Sequence, residues 1–161
     1  PGVGSTFRVY LPLAENAVPV PVAAGSSEFP GGTESLLIVD DEERMAAYYR
    51  EVYGLHVVQR VRGESGATGE SFREVIMGPD GQMSPDESLV MFKFTDRAAP
   101  RDQESILGFT TDDLDALVAR ISANGGKLVG QIESMPQHGI RVVFATDPEG
   151  HLSENVQMVP S

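Results

Sequence analysis

Histidine, arginine and glutamate side chains are the candidates for chemistry in this chain, which contains no cysteine. The absence of cysteine excludes disulfides, thiolate metal sites and cysteine nucleophiles. His138 falls in a loop where it could contact a ligand. His56 begins a strand and is expected to be exposed, and His151 occupies a turn position that favours a structural role. Arg73 and Arg141 fall on central predicted strands and could bind an anionic ligand.

Hydrophobic periodicity predicts the elements that would position these side chains. Met45, Tyr48, Tyr49 and Val52 recur at i, i+3, i+4 and i+7, which predicts a helix over 42–53 that ends at Gly54. A second helix is expected after Asp112 or Asp113 and before Gly125-Gly126. Short apolar or alternating runs predict strands over 35–39, 56–62, 72–77, 89–94, 106–110, 128–132, 140–145 and 152–158.

The order of these elements repeats along the chain. The acidic start of the first helix at Asp40 recurs at Asp112, and Gly78-Pro79-Asp80-Gly81 recurs as Asp147-Pro148-Glu149-Gly150. The two offsets are about 70 residues, which indicates two copies of one folding unit. The expected fold is α+β with two βαβββ modules, the first over 35–97 and the second over 104–160, and the function is expected in a cleft that the modules form.

Two segments resemble the vicinal-oxygen-chelate superfamily, which includes glyoxalase I, bleomycin-resistance proteins and extradiol dioxygenases. The segment Arg44–Leu55 resembles the first helix of that family, with its aromatic-Tyr pair before a Gly-containing turn. The segment Val142–Glu154 resembles the family ending Asp-Pro-(Asp/Glu)-Gly-(Asn/His)-x-x-Glu. The resemblance covers roughly 35–160 and implies a cup-shaped mixed sheet that a homodimer partner completes or flanks.

The resemblance also implies four positions where metal-using members place their ligands. Mapped through the internal repeat, these positions are Glu34, Met91, Ile106 and Glu154. Isoleucine cannot bind a metal, and methionine is a poor partner for carboxylates around Zn, Ni, Mn or Fe. A register two residues earlier would offer Glu104 in place of Ile106. The expected site is therefore degenerate, with Glu34 and Glu154 as metal ligands and Glu154 as the catalytic carboxylate if a divalent metal binds.

Three functions are compatible with the sequence. The first is a metal-free protein that binds a small molecule in the cup, and the second is a metal-dependent lyase or isomerase similar to glyoxalase I, or a dioxygenase. The third is a fragment of a two-component signalling protein. In the binding interpretation, the expected ligand contacts are Met91, Lys93, Ile106, Arg141 and His138.

Net charge and hydropathy limit the partners. The formal net charge is −12, which argues against nucleic acid and anionic membranes because phosphate groups would be repelled. No apolar run approaches the roughly 20 residues that a membrane span requires. A cytoplasmic location is expected, since no targeting segment is recognisable.

The first 34 residues differ in composition from the rest of the chain. Their prolines and Gly-Ser pairs are typical of an extended linker, with one strand-like run at Phe7–Leu11. Residues 1–43 resemble the junction between the ATPase end of a hybrid histidine kinase and the start of its receiver domain. A receiver needs a phosphorylatable aspartate at the end of a later strand, and none is found, so this segment is expected to be a leader without signalling chemistry.

Overall fold

The computed structural model describes residues 35–64, 69–82, 87–101 and 106–159. The first half of the described chain contains β1 (Ser35–Ile38), α1 (Glu42–Tyr53), β2 (His56–Glu64), β3 (Ser71–Gly78) and β4 (Leu89–Phe94). The second half contains β5 (Ile106–Thr110), α2 (Leu114–Ala123), β6 (Lys127–Met135), β7 (Ile140–Thr146) and β8 (Leu152–Met158), with a short 3-10 turn at Pro136–His138. The order βαβββ therefore occurs twice, as the sequence predicts.

Both helices begin at aspartate caps that the sequence makes recognisable. The Asp41 carboxylate accepts a hydrogen bond from the Arg44 amide at 3.0 Å, and Asp113 accepts one from Ala116 at 2.9 Å. These bonds satisfy amides that have no partner within the first helical turn. Gly54 ends α1 with a φ of 71°, a left-handed conformation that glycine adopts without the usual Cβ penalty.

The strands form two four-stranded mixed sheets, ordered β1-β4-β3-β2 and β5-β8-β7-β6. In the first sheet β1 runs parallel to its neighbour β4, and in the second β5 runs parallel to its neighbour β8. All other neighbouring strands are antiparallel. The predicted α+β class with two βαβββ units is confirmed. Two irregularities interrupt the ladders, one in β2 between Val57 and Gln59 and one in β6 between Val129 and Glu133.

One face of each sheet packs against the helices, and the side chains on these faces join the helices in one apolar core. Leu37, Val75, Met77 and Met91 of the first sheet belong to it, with Leu107, Val143 and Ala145 of the second. They pack with Met45, Tyr49 and Val52 of α1 and with Leu114, Leu117 and Ile121 of α2. Since side chains alternate along a strand, the intervening residues lie on the opposite face, which is called the open face below.

The described helices are too short and insufficiently apolar to cross a membrane. The leader over 1–34, its resemblance to a kinase tail and the strand-like run within it all lie outside the described residues. The proposed module boundaries at 97 and 104 remain predictions.

Candidate ligand-binding site

The open face of the second sheet contains a cavity of about 320 Å³. Its wall is formed by β6, β7 and β8, with residues Val129, Gly130, Gln131, Glu133, Met135, Ile140, Val142, Val143, Phe144 and Glu154. The lining is mainly apolar, and two carboxylates interrupt it. Apolar walls with a few polar groups are typical of sites that bind small organic molecules.

The two carboxylates occupy defined positions in the ladder. Glu154 of β8 is paired with Phe144 of β7 on one side and with Gly108 of β5 on the other. Glu133 of β6 is paired with Val142 of β7. Within the described part of the chain, neither carboxylate accepts a hydrogen bond or forms an ion pair. Both are therefore available to a donor group on a ligand.

The open face of the first sheet is aromatic and also contains a carboxylate. Phe72 and Phe92 are stacked with their ring centroids 5.0 Å apart, and Phe94 meets Phe92 edge-on at 4.8 Å. Glu74 of β3 is the direct cross-strand partner of Phe92. Burial among these neighbours raises the pKa of Glu74 above its usual value, because a carboxylate is less well solvated there.

The strand arginines lie on the opposite face of each sheet from these carboxylates. Arg60 forms two hydrogen bonds to Glu43 at 2.7 and 2.8 Å, and Arg73 forms an ion pair with Glu42 at 2.8 Å. In the second sheet, Arg141 forms two hydrogen bonds to Asp115 of α2 at 2.8 and 3.1 Å. These three cations are paired with helix carboxylates, so they do not neutralise the carboxylates of the open faces.

A buried polar network joins α1 to the turn between β7 and β8. The Tyr49 hydroxyl donates to Asp147 Oδ2 at 3.0 Å, and His151 Nδ1 lies 2.7 Å from the same oxygen. The amides of Glu149 and His151 donate to Asp147 Oδ1, both at 2.9 Å. His151 Nε2 lies 3.3 Å from the Ile38 carbonyl oxygen. This network explains the Asp-Pro-Glu-Gly-His segment as a structural connection between the two halves of the fold.

The pKa of His151 reflects these contacts. Burial alone would lower it, but the hydrogen bond and the charge of Asp147 raise it, with a further contribution from the Ile38 carbonyl. The net pKa lies above the usual histidine value, because both ring nitrogens face acceptors and the doubly protonated ring satisfies both.

The expected ligand contacts fall in different parts of the fold. Met91 is fully buried in the core against the helices, so the expectation that it faces the cup is wrong. Lys93 shares that face of β4, and its Nζ donates to the Asp40 carbonyl. Arg141 faces α2, and His138 is exposed in the 3-10 turn after β6. Ile106 lies on the open face and is 60% exposed.

The ladder register corrects the alignment that selected Met91. Glu154 is paired with Phe144 and Gly108, and in the first sheet Val90 is paired with Ile76 and Leu36 in the same way. The residue equivalent to Glu154 is therefore Val90, one position before Met91. An error of one residue moves a side chain to the other face of a sheet.

The residues that sequence reasoning missed are Glu74, Glu133 and Phe144. The alternation along β3 places Glu74 in phase with Phe72 and Ile76, and this alternation was the available signal. Glu133 could not be assigned in this way, because the irregularity in β6 between Val129 and Glu133 interrupts the alternation.

The model of the Glyoxalase/Bleomycin resistance protein/Dioxygenase superfamily matches residues 33–154. The chain belongs to this superfamily. Among curated proteins there is no match.

Solved structures of this superfamily share the fold at low sequence identity. A glyoxalase family protein from Bacillus cereus is 19% identical with a TM-score of 0.68, over 86% of this chain and all of the other. A point mutant of glyoxalase I from Zea mays is 16% identical with a TM-score of 0.61. That match covers 80% of this chain and 46% of the maize chain, so the chain spans about half the length of that relative.

A third neighbour was solved with a metal. A point mutant of the fosfomycin resistance protein FosX from Listeria monocytogenes, complexed with Mn(II) and 1S,2S-dihydroxypropylphosphonic acid, is 17% identical with a TM-score of 0.54. The match covers 78% of this chain and 88% of FosX.

The superfamily metal positions do not fit a metal in the described residues. With the corrected register these positions are Glu34, Val90, Ile106 and Glu154, and Glu34 lies outside the described ranges. Of the other three, only Glu154 carries a side-chain oxygen that can bind a cation. No group of three or more His, Asp or Glu side chains that could hold a metal occurs in the described part of the chain.

Proposed function

We propose that this superfamily member binds a small organic molecule in the cavity on the open face of the second sheet, without a metal at the superfamily positions. The observation that carries the proposal is the apolar cavity of about 320 Å³ with two carboxylates that have no described partner. Burial of the apolar part of the ligand supplies the affinity, and Glu154 and Glu133 orient it by accepting hydrogen bonds.

The chemistry of the lining selects the kind of ligand. An apolar body fits against Val129, Phe144 and Met135, and the carboxylates require at least one N–H or O–H donor on the ligand. An anion is excluded from this cavity because it would face two carboxylates at close range. The sequence predicts a contact between Arg141 and an anionic ligand, but the guanidinium of Arg141 forms an ion pair with Asp115.

We also propose that two copies of the chain assemble through these faces. The open faces expose large apolar side chains, with Leu36 at 52%, Ile106 at 60%, Val129 at 49% and Met158 at 67%. A second copy would cover this apolar surface and enclose the cavity. Light scattering is expected to give about twice the chain mass of 17.3 kDa, and a concentration-independent mass of one chain would contradict this assembly.

Thermal unfolding with a panel of small molecules tests the binding proposal. In the presence of a chelator, aromatic and aliphatic amines and alcohols are expected to raise the Tm in proportion to the logarithm of their concentration, because they bind only the folded state. Aromatic carboxylates of similar size are expected to have no effect.

Variants of carboxylates locate the binding site. Glu154→Gln is expected to reduce the Tm shift of the best compound, whereas Glu51→Gln, at an exposed position on α1, should leave it unchanged. Equal responses of the two variants would contradict the assigned site. Stabilisation that appears only after a divalent metal is added would contradict the metal-free mechanism and favour the lyase or dioxygenase alternative.

The cytoplasmic location stays a prediction from the sequence.

A further inference from the structure

The helix side of the first sheet contains a row of cations that the cavity proposal does not use. Arg62 of β2 is the direct cross-strand partner of Arg73 of β3, and Arg73 is in turn the partner of Lys93 of β4. The row shares its face with the core residues Val75 and Met91, which lie two positions away along β3 and β4. A second copy that covers the open faces therefore leaves this row accessible.

Directly opposed like charges in neighbouring strands are unfavourable, because their Cβ atoms are only about 5 Å apart. Two carboxylates of α1 offset part of this repulsion. Glu42 forms an ion pair with Arg73 Nε at 2.8 Å, and Glu43 accepts two hydrogen bonds from Arg60 at 2.7 and 2.8 Å. Each of these carboxylates is thus assigned to one arginine.

Arg62 is the cation of this cluster that is left without a partner. Its side chain is exposed, and its guanidinium forms neither an ion pair nor a hydrogen bond with any described residue. The pKa of Glu43 is lowered first by the hydrogen bond from Arg60, and the charge of Arg62 contributes. Arg73 uses Nε and Nη2 for Glu42, which leaves its Nη1 without a described partner. Two adjacent guanidinium groups therefore have N–H donors to offer a ligand.

The arrangement of the row determines which anion it fits. Neighbouring strands are about 4.8 Å apart, so two guanidinium groups start side by side and can converge on two linked anionic groups. A guanidinium binds phosphate oxygens through two parallel hydrogen bonds, which favours one phosphate group for each arginine. Lys93 gives one of its three donors to the Asp40 carbonyl and has two left for the same ligand.

We propose that Arg62 and Arg73, with Lys93 at the inner end of the row, bind a small molecule that carries a diphosphate group. Each guanidinium donates to one phosphate group, and the ion pairs with the α1 carboxylates stay in place. The site lies on the opposite side of the first sheet from the open face and is separate from the cavity of the second sheet. Remote carboxylates, which dominate the net charge of −12, repel the ligand only weakly at physiological salt because the Debye length is about 8 Å.

A carboxylate beside the row supplies a prediction of opposite sign. Glu64 follows Arg62 by two positions on the same face of β2, about 7 Å further along the strand, and its cross-strand partner is Ser71. In the described ranges no cation forms an ion pair with Glu64. Its charge opposes an anion bound at Arg62, so its neutralisation is expected to tighten binding.

Inorganic pyrophosphate is the probe for this site, and isothermal titration calorimetry of the full chain measures its affinity in buffer freed of divalent metals by a chelating resin. Saturable binding is expected, and the affinity should fall as salt is added. Arg62→Gln is expected to weaken binding about tenfold, and Glu64→Gln to strengthen it about twofold. Arg50→Gln removes the same charge at an exposed position in the last turn of α1 and is expected to leave the affinity unchanged.

The outcomes separate this site from the cavity. No saturable binding, equal affinity of wild type and Arg62→Gln, or an equal loss in Arg50→Gln would overturn the diphosphate site. The Tm shift that the best amine or alcohol produces depends on the cavity and is expected to be the same in Arg62→Gln as in wild type.

Thermal unfolding of Arg62→Gln without pyrophosphate checks the fold. The variant is expected to be at least as stable as wild type, because it removes a cation directly opposite Arg73. A marked loss of stability would show that Arg62 already has a partner within the folded chain, and this result would overturn the site.

Discussion

At the scale of single residues, Asp147 is the side chain on which the connection between the two halves of the fold depends. It is 5% exposed, and its carboxylate accepts from the Tyr49 hydroxyl, the His151 ring and two backbone amides. Charge-assisted hydrogen bonds to a buried carboxylate are stronger than those between neutral groups. The turn between β7 and β8 is thereby fixed against α1 of the other half.

Replacement of Asp147 is predicted to destabilise the protein strongly. Asp147→Ala leaves a buried hydroxyl and two amides without partners, and a loss of about 3 kcal/mol or more in the free energy of unfolding is expected. Asp113→Ala, which removes a helix cap at an exposed position, should cost about 1 kcal/mol and acts as the control. Urea denaturation measures both, and similar losses for the two variants would show that the buried network contributes no more than a cap.

The sequence predicted individual residues unevenly, for a reason that lies in strand geometry. Glu154 lies on the open face, and the Asp-Pro-Glu-Gly turn that fixes the start of β8 makes this position readable, while its role stays a prediction. Met91 was selected wrongly, because no comparable marker fixes β4 and a shift of one residue exchanges its two faces. The ion pair of Arg141 with Asp115 could not be predicted, because a sequence pattern does not show which strand face a helix carboxylate covers.

At the scale of elements, the helices were the most predictable part of the chain. Aspartate caps, apolar spacing and glycine stops are local signals, and α1 begins and ends where they indicate. Strand existence was also predicted, but β6 is longer than expected, at Lys127–Met135 instead of 128–132. Its irregularity interrupts the alternation of side chains, and only the pairing with β7 shows how the strand continues.

The connection from α2 to β6 is predicted to tolerate only glycine at position 126. A Cβ there would lie 2.6 Å from the Tyr48 hydroxyl, 2.7 Å from the Thr146 carbonyl oxygen and 2.8 Å from Ile121 Cγ2. Gly126→Ala is therefore expected to destabilise the fold by about 1–3 kcal/mol, the usual cost of overpacking.

Gly108 provides the matched control within the same module. A Cβ at Gly108 meets no atom within 4 Å, so Gly108→Ala is expected to change the free energy of unfolding by less than about 0.5 kcal/mol. Thermal or urea unfolding compares the two alanine variants. A Gly126→Ala variant as stable as Gly108→Ala would mean that the backbone at 126 moves freely away from Tyr48 and Thr146.

At the scale of the whole molecule, the fold followed from the repeat, whereas the ligand could not be read from it. Two βαβββ units and the superfamily were recognisable from motifs near both ends of the domain. The strand order confirms the units, and the family-model match over 33–154 confirms the superfamily. The site depends on which side chains share an open face, and this is set by strand register over long sequence separations. Superfamily membership alone does not determine function, since related folds carry different sites.

Charge is distributed across the molecule by face. Arg60, Arg73 and Arg141 of the strands pair with carboxylates of the helices. The carboxylates on the open faces lie among apolar side chains; they are Glu74, Glu133 and Glu154. With a formal net charge of −12, the chain as a whole also attracts cations over anions. This distribution supports the central proposal, that a small molecule with a donor group binds in the cavity of the second sheet and requires no metal.

The most direct test is a map of amide chemical shifts in a 15N-labelled sample, with chelator present, as the most stabilising compound from the thermal panel is added. We predict concentration-dependent, saturable shifts centred on Val129, Phe144 and Glu154, with small changes along α1 and α2. Shifts confined to the helices, or shifts that require an added divalent metal, would contradict the proposal.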